Sequence, residues 1–202
     1  MPGLIPGGET ALLVPVPATE PAVREHRARL DKAAGDGVPA HITVLYPFVP
    51  PAEVGEPLLA SLGSMFAGLA AFEFTLDRIG WFGDEVVWLG PGDAAPFTTL
   101  TDLVFTAFPS CPPYGGQHPE VIPHLTIGDT GPPHALRAAA ESVRPSLPIH
   151  AVATEVILMT GPRPGTPCPP GPSPRQWRTI AAFPLRRQPS GRHRSNSRTG
   201  RE

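Results

Sequence analysis

His41 and Thr43 stand two residues apart in the stretch His41-Ile42-Thr43-Val44, and the same spacing returns eighty-three positions later in His124-Leu125-Thr126-Ile127. In an extended strand, residues i and i+2 share a face, so each histidine lies beside its threonine while Ile42 or Leu125 points the other way. Two imidazoles and two hydroxyls can thus meet at one cleft. An imidazole with its ordinary pKa near ~6.5 can serve as base or acid close to neutral pH. Two of them on opposite sides of a phosphorus allow in-line displacement, one taking a proton from the incoming oxygen and the other giving one to the departing oxygen. Each transfer contributes roughly 10²–10⁴ in rate. The threonine hydroxyls can donate to the non-bridging oxygens, where charge builds in the transition state. Such chemistry calls for no metal and no cofactor, and it best serves a strained diester such as a ribose 2′,3′-cyclic phosphate.

The elements that must hold these residues can be read from apolar spacing and punctuation. Thr10 to Pro17 carries the run ALLVPV, a first strand with its prolines at an end or edge. A helix follows, with Thr19 as N-cap, Pro21 in its first turn, Val23, Leu30 and Ala34 near one face, and Gly35 and Gly37 as its stop. The first motif strand spans 41–46 and ends at Pro47. A second helix is expected over 51–70, where Leu58, Leu62, Phe66 and Leu69 recur at spacings of three and four. Strands are expected at 72–76 and 85–89, the latter entered through the Gly83-Asp84 turn of a hairpin. A helix over about 97–108 and a proline- and glycine-rich loop lead to the second motif strand. A helix of about 133–144 comes next. The run Ile149 to Met159 reads as one strand with a bend, and a loop at 161–175 precedes a closing strand of about 176–183. Helices set between strands in hairpin-like neighbourhoods point to an α+β fold in two similar lobes.

At 202 residues the chain can bury a sizeable core unaided. Proline and glycine number 30 and 21, yet apolar residues make up 41%, so the prolines end elements and stiffen loops rather than mark disorder. No apolar run is long enough to span a membrane, and the N-terminal segment lacks the basic start and apolar stretch of a signal peptide. A cytoplasmic protein with no membrane partner is expected. Cys111 and Cys168 supply neither a disulfide framework nor a metal cluster. The net charge of −2 divides unevenly: residues 1–185 carry 10 basic against 17 acidic residues, whereas 186–202 carry six arginines against Glu202. An acidic body argues against a broad nucleic-acid surface. The arginine-rich tail, 187–202, is expected to be disordered and outside the domain of residues 1–186.

The paired motif, each copy with apolar second and fourth positions and a proline-marked loop before it, resembles the two-histidine (2H) phosphoesterase superfamily. Its members include bacterial 2′-5′ RNA ligases and cyclic nucleotide phosphodiesterases. The resemblance covers roughly residues 10–185. It implies a bilobal fold, an antiparallel sheet and outer helices in each lobe, in which each lobe gives one H-x-T-x strand to a central cleft. It also implies His41 and His124 as the acid–base pair and Thr43 and Thr126 as phosphate-binding hydroxyls. Many ligase-like members carry a basic residue soon after one motif, whereas Leu45 follows the first here and Gly128-Asp129 the second. That difference favours a nucleotide or an RNA 2′,3′-cyclic phosphate end over a tRNA-sized substrate, handled by a monomer.

Other residues could complete the site. Tyr46, Phe48 and Tyr114 could stack on a nucleobase, with core packing the other reading for the first two. Arg163 and Arg175 flank the long proline loop and could reach a phosphate. His118 could be a third cleft imidazole, and Trp81, Trp88 and Trp177 read as core. The sequence has no G-x-S-x-G, no H-E-x-x-H and no phosphate loop ending in Gly-Lys-Ser/Thr. A competing reading is a non-catalytic module that binds RNA ends or a nucleotide; binding without turnover distinguishes it.

Overall fold

The structure is a computed structural model that describes residues 8–118, 120–163 and 176–187. Cys168, Arg175 and the tail beyond Arg187 lie outside the described residues. Among the described residues, eight strands form two antiparallel four-stranded sheets. The first sheet has the order β2-β1-β7-β8, from β1 (Gly8–Pro15), β2 (His41–Leu45), β7 (Glu155–Pro162) and β8 (Arg178–Pro184). The second has the order β5-β4-β3-β6, from β3 (Phe72–Phe82), β4 (Val86–Pro91), β5 (Leu125–Gly128) and β6 (Ile149–Ala153). The architecture is the expected α+β, with helices α1 (Glu20–Leu30), α2 (Lys32–Gly35), α3 (Glu56–Ala67), α4 (Ala95–Ala107) and α5 (Pro133–Val143).

The two lobes are not the first and second halves of the chain. The second sheet uses residues 72–153 without interruption, and the first closes around it from both ends of the chain. The run 149–159 is therefore two strands rather than one bent strand. Ile149–Ala153 pairs with β3 in one sheet, and Glu155–Pro162 pairs with β1 in the other. Two other expectations shift. The helix expected to run to Ala34 stops at Leu30, because Asp31 is extended (φ −118°, ψ 114°) and its carboxylate caps α2 by accepting from the Ala33 N–H. The strand expected at 72–76 continues to Phe82 beyond a register shift between Leu76 and Arg78, where Asp77 and Arg78 interrupt the alternation.

One hydrophobic core joins both lobes. Leu12, Ile42 and Val44 of the first sheet meet Leu89, Leu125 and Ile127 of the second, with Phe66, Phe97 and Leu136 packed on them from the helices. Burying each such large side chain contributes roughly 1.5–3 kcal/mol. A smaller cluster, Ala11, Leu13, Val38, Ile157 and Met159, covers the other face of the first sheet. No helix among the described residues is long and apolar enough to cross a membrane.

Candidate active site

The first motif opens β2, the edge strand of one sheet, and the second runs from His124 into β5, the edge strand of the other; Cα atoms of the two strands approach within 8 Å. Both repeat one burial pattern: His41 and Thr43 are half-buried between buried Ile42 and Val44, as His124 and Thr126 are beside buried Leu125 and Ile127. The apolar members anchor each strand in the common core while the histidine and threonine face outward.

The histidines share a further contact. His41 Nδ1 lies 2.7 Å from the Pro39 carbonyl oxygen, and His124 Nδ1 lies 2.7 Å from that of Ile122, two residues upstream in both cases. A carbonyl oxygen only accepts, so each neutral ring carries its proton on Nδ1 and leaves Nε2 with a free lone pair. Burial lowers the pKa of both rings, that of His41 to about 4 and that of His124 by less, while the carbonyl bond opposes the shift in each. Positive charge on Arg27 and on His124 lowers His41 further.

The turn between α1 and α2 ties the two motif strands together, a role that sequence reasoning missed. Toward the first motif, buried Arg27 donates to the Val38 carbonyl at 3.2 Å and to Asp31 at 2.8 Å, and the Glu20 carboxylate accepts from the Ala40 N–H at 3.4 Å. These bonds hold the three residues that carry the Pro39 carbonyl to His41. Burial raises the Asp31 carboxyl pKa, and the Arg27 guanidinium opposes the rise. Toward the second motif, the Leu30 carbonyl accepts from the N–H groups of Asp129 and Thr130 at 2.7 and 2.9 Å, and Asp129 Oδ1 accepts from the Lys32 N–H at 3.0 Å. Gly128 makes this approach possible: a Cβ there would lie 2.8 Å from Leu136 Cδ2 and 2.9 Å from Leu30 Cβ. The Gly128-Asp129 pair that follows the second motif was the available signal.

The remaining candidates divide. Tyr114 spans from the loop before β5 to the first motif: its N–H donates to the Tyr46 carbonyl at 2.7 Å, and its hydroxyl, whose pKa burial raises, interacts with the Thr43 side chain. It adopts a left-handed backbone (φ 50°, ψ 33°) ahead of Gly115 and Gly116, a conformation costing roughly 1–2 kcal/mol for a non-glycine residue. His118 is exposed, its ring edge-on to Tyr114 at 5.7 Å. Tyr46 lines a cavity beside His41 and Thr43, and its hydroxyl donates to Glu9. Arg163 lines the same cavity, but its Nε is engaged by the other oxygen of Glu9 at 2.9 Å, so its charge is already balanced. Glu9, another residue that sequence reasoning missed, precedes Ala11 and Leu13 at strand spacing along one face of β1. Phe48 belongs with the core: it is 6% exposed and packs edge-on against Phe108 at 5.1 Å, which removes it from the stacking set. Trp88 is buried as expected, whereas Trp177 is half-buried and walls the cavity. Among the described residues, no three His, Cys, Asp or Glu side chains cluster closely enough to hold a metal ion.

Two imidazoles with Nε2 free, on neighbouring stretches of chain with a threonine hydroxyl beside each, are groups that can accept and donate protons and donate to an anion's oxygens. The sequence matches the family model of the 2′-5′ RNA ligase superfamily over residues 15–163. Solved structures share the fold. The protein TT0787 of Thermus thermophilus superposes with a TM-score of 0.57 at 20% identity, over 89% of this chain and 99% of that one. Escherichia coli LigT complexed with 3′-AMP gives 0.53 at 19% identity, over 88% and 98%. A protein described only as a phosphoesterase gives 0.53 at 19%, over 89% and 99%. At these identities the likeness is one of fold. No curated protein matches the sequence.

Proposed function

The chain belongs to the 2′-5′ RNA ligase superfamily, among the two-histidine phosphoesterases, and from that membership we propose that it is a metal-independent enzyme that opens ribose 2′,3′-cyclic phosphates or acts on 2′-5′ phosphodiester linkages. The observation that carries this reading is the matched pair of Nδ1-to-carbonyl bonds, which turns both histidines to present Nε2 from adjoining edge strands.

In the proposed reaction, a water oxygen attacks phosphorus as one neutral imidazole takes the water proton on Nε2. The opposite imidazolium gives its Nε2 proton to the ribose oxygen that leaves. One P–O bond forms and one breaks, water is consumed, and a ribose monophosphate, the 2′-monophosphate when O3′ departs, is released. The two histidines end with exchanged protonation, which solvent restores. Thr43 and Thr126 donate to the non-bridging oxygens, and the Tyr114 hydroxyl, which interacts with the Thr43 side chain, borders the same position. Tyr46 and Tyr114 are the proposed nucleoside contacts, with Arg163 at the outer edge.

The substrate is a nucleotide or a cyclic-phosphate RNA end. That E. coli LigT was solved with 3′-AMP and with NADP+ supports a nucleotide ligand, and the acidic body supports a small one. The test is turnover of a panel of 2′,3′-cyclic nucleotides and cyclic-ended oligonucleotides, with and without EDTA. Chelator-insensitive hydrolysis is expected. Tight binding without turnover across the panel would replace the enzyme with a binding module.

A further inference from the structure

Beside the first motif, the first sheet carries a cavity of about 310 Å³. His41 and Thr43 line it, as does Asp129 just past the second motif strand, whereas His124 and Thr126 do not. The floor is the apolar patch of Ala11, Leu13 and Val38. Its two aromatic walls are Tyr46 and Trp177, with ring centroids 6.0 Å apart and planes at 64°. Each wall is fixed from behind. Glu9 accepts from the Tyr46 hydroxyl. The Trp177 backbone N–H donates to the Asp36 carbonyl at 2.7 Å, and its ring lies against Gly161, where a Cβ would come within 2.4 Å of the indole. Rigid flat walls over a small apolar floor suit a planar ring better than a flexible chain.

The polar groups at the rim are Lys32, Asp36 and Asp129, together with the Arg163 already paired to Glu9. Carboxylates only accept hydrogen bonds, and an ammonium only donates. The complementary ring edge therefore offers donors beside an acceptor. Adenine, cytosine and guanine do so through an exocyclic amino group next to a ring nitrogen or carbonyl. Uracil offers a single N–H between two carbonyls, whose oxygens would face the carboxylates.

We propose that this cavity is a nucleobase subsite that selects amino-bearing bases over uracil, with Trp177 as its main wall and Asp36 and Asp129 as its readers. The assignment rests on the phosphoesterase reading for the identity of the group held at His41 and Thr43. The subsite itself can be tested by binding alone.

Two measurements separate the two claims. In the first, calorimetric binding of 2′-AMP, 2′-CMP, 2′-GMP and 2′-UMP to the full chain should rank the uridine nucleotide about tenfold weaker than the others, as expected when a polar site loses a hydrogen-bonding partner. In Trp177→Ala, and in the milder Trp177→Phe, that spread should shrink, and Asp36→Asn should shrink it while leaving the aromatic walls in place. In the second, kcat/KM for the four 2′,3′-cyclic nucleotides is compared with that for methyl riboside 2′,3′-cyclic phosphate, which lacks a base. The ratio of nucleotide to base-free substrate should fall toward one in Trp177→Ala through a rise in KM. Because each ratio is internal to one variant, partial loss of folded protein does not alter it. Equal binding of all four monophosphates by the wild type would overturn the subsite, even if every cyclic phosphate is hydrolysed. Base-dependent, Trp177-dependent binding with no hydrolysis would keep the subsite and discard the phosphoesterase.

Discussion

The two motif strands agree in what touches the imidazole and differ in what supports it. His41 opens one edge strand and His124 immediately precedes the other, with the same burial alternation and the same Nδ1 bond to the carbonyl two residues upstream. Behind His41, however, stands an ionic clamp of buried Arg27 and Asp31 with half-buried Glu20. Around His124 stand two aromatic rings, Phe82 at 4.9 Å and Trp88 at 5.9 Å. A fixed tautomer is thus the shared requirement, and charge or ring packing can each hold the strand that supplies it.

Removing one ring at a time tests the equivalence most severely. His41→Ala and His124→Ala should each lower kcat by roughly 10²–10⁴ with circular dichroism unchanged. A variant that loses tenfold or less would show its histidine to be support rather than chemistry. Next in size is the clamp. Arg27→Met leaves the Asp31 carboxylate buried without its partner, and removing one member of such a pair costs about 3–5 kcal/mol. Chemical denaturation should show that loss, whereas the corresponding change at the solvent-exposed Arg144–Glu141 pair should be close to neutral. Gly128→Ala probes the junction between the motifs. The added methyl meets Leu30 and Leu136, must push β5 away from α1, and should lower kcat by roughly tenfold to a hundredfold through displacement of His124. Gly35→Ala is the control, since nothing lies within 4 Å of its Cβ position.

Much of this was legible in the sequence because it depends on residues close together in the chain. The alternation in His41-Ile42-Thr43-Val44 states which side chains are buried, and helices such as α4 and α5 announce themselves by apolar spacing. What escaped depends on partners far away. A strand buried on both faces, such as Val156 to Met159, reads as a plain apolar run, so nothing local showed that Thr154 passes the chain from one sheet to the other. Phe48 takes the core place that was one of its two readings, and Trp177 leaves the core place expected of it, for the same reason. An aromatic residue beside a strand can turn to either face, and Phe48 is drawn in against Phe108 while Trp177 lies over the side-chain-free Gly161. The clamp was invisible because Arg27 and Asp31 look like an ordinary i,i+4 surface pair until Val38 and Ala40 are seen to lie beside them.

Acidity separates the two histidines as well, because burial lowers both but lowers His41 more, to about 4. The pair is singly protonated only on the acidic side of the ordinary histidine range, so the bell for kcat/KM, which reports the free enzyme, should be centred below pH ~6.5. The bell for kcat should lie at higher pH, since a bound phosphate anion favours both imidazolium forms. Stability follows the same linkage. Below the unfolded pKa the unfolded chain binds a proton at residue 41 that the folded chain refuses until about pH 4. The stability held above the unfolded value is therefore lost as pH falls from about 6.5 toward 4. Melting temperature against pH should flatten over that window in His41→Gln, and an unaltered slope there would reject the buried neutral imidazole.

The smallest expected effect tests whether the aromatic support of His124 is secondary to its carbonyl bond. Phe82 meets the ring nearly edge-on, with the planes at 86°, a contact that contributes roughly 0.5–1.5 kcal/mol. In Phe82→Leu the apolar contact largely persists, Trp88 still flanks the ring, and the Ile122 carbonyl still fixes Nδ1. Orientation of Nε2 should therefore survive, with kcat reduced only a few-fold and KM little changed. A hundredfold fall in kcat would reverse the order of importance. It would mean that the second lobe orients its histidine by ring packing and the first by hydrogen bonding, so that the two motifs share a sequence pattern without sharing a way of working.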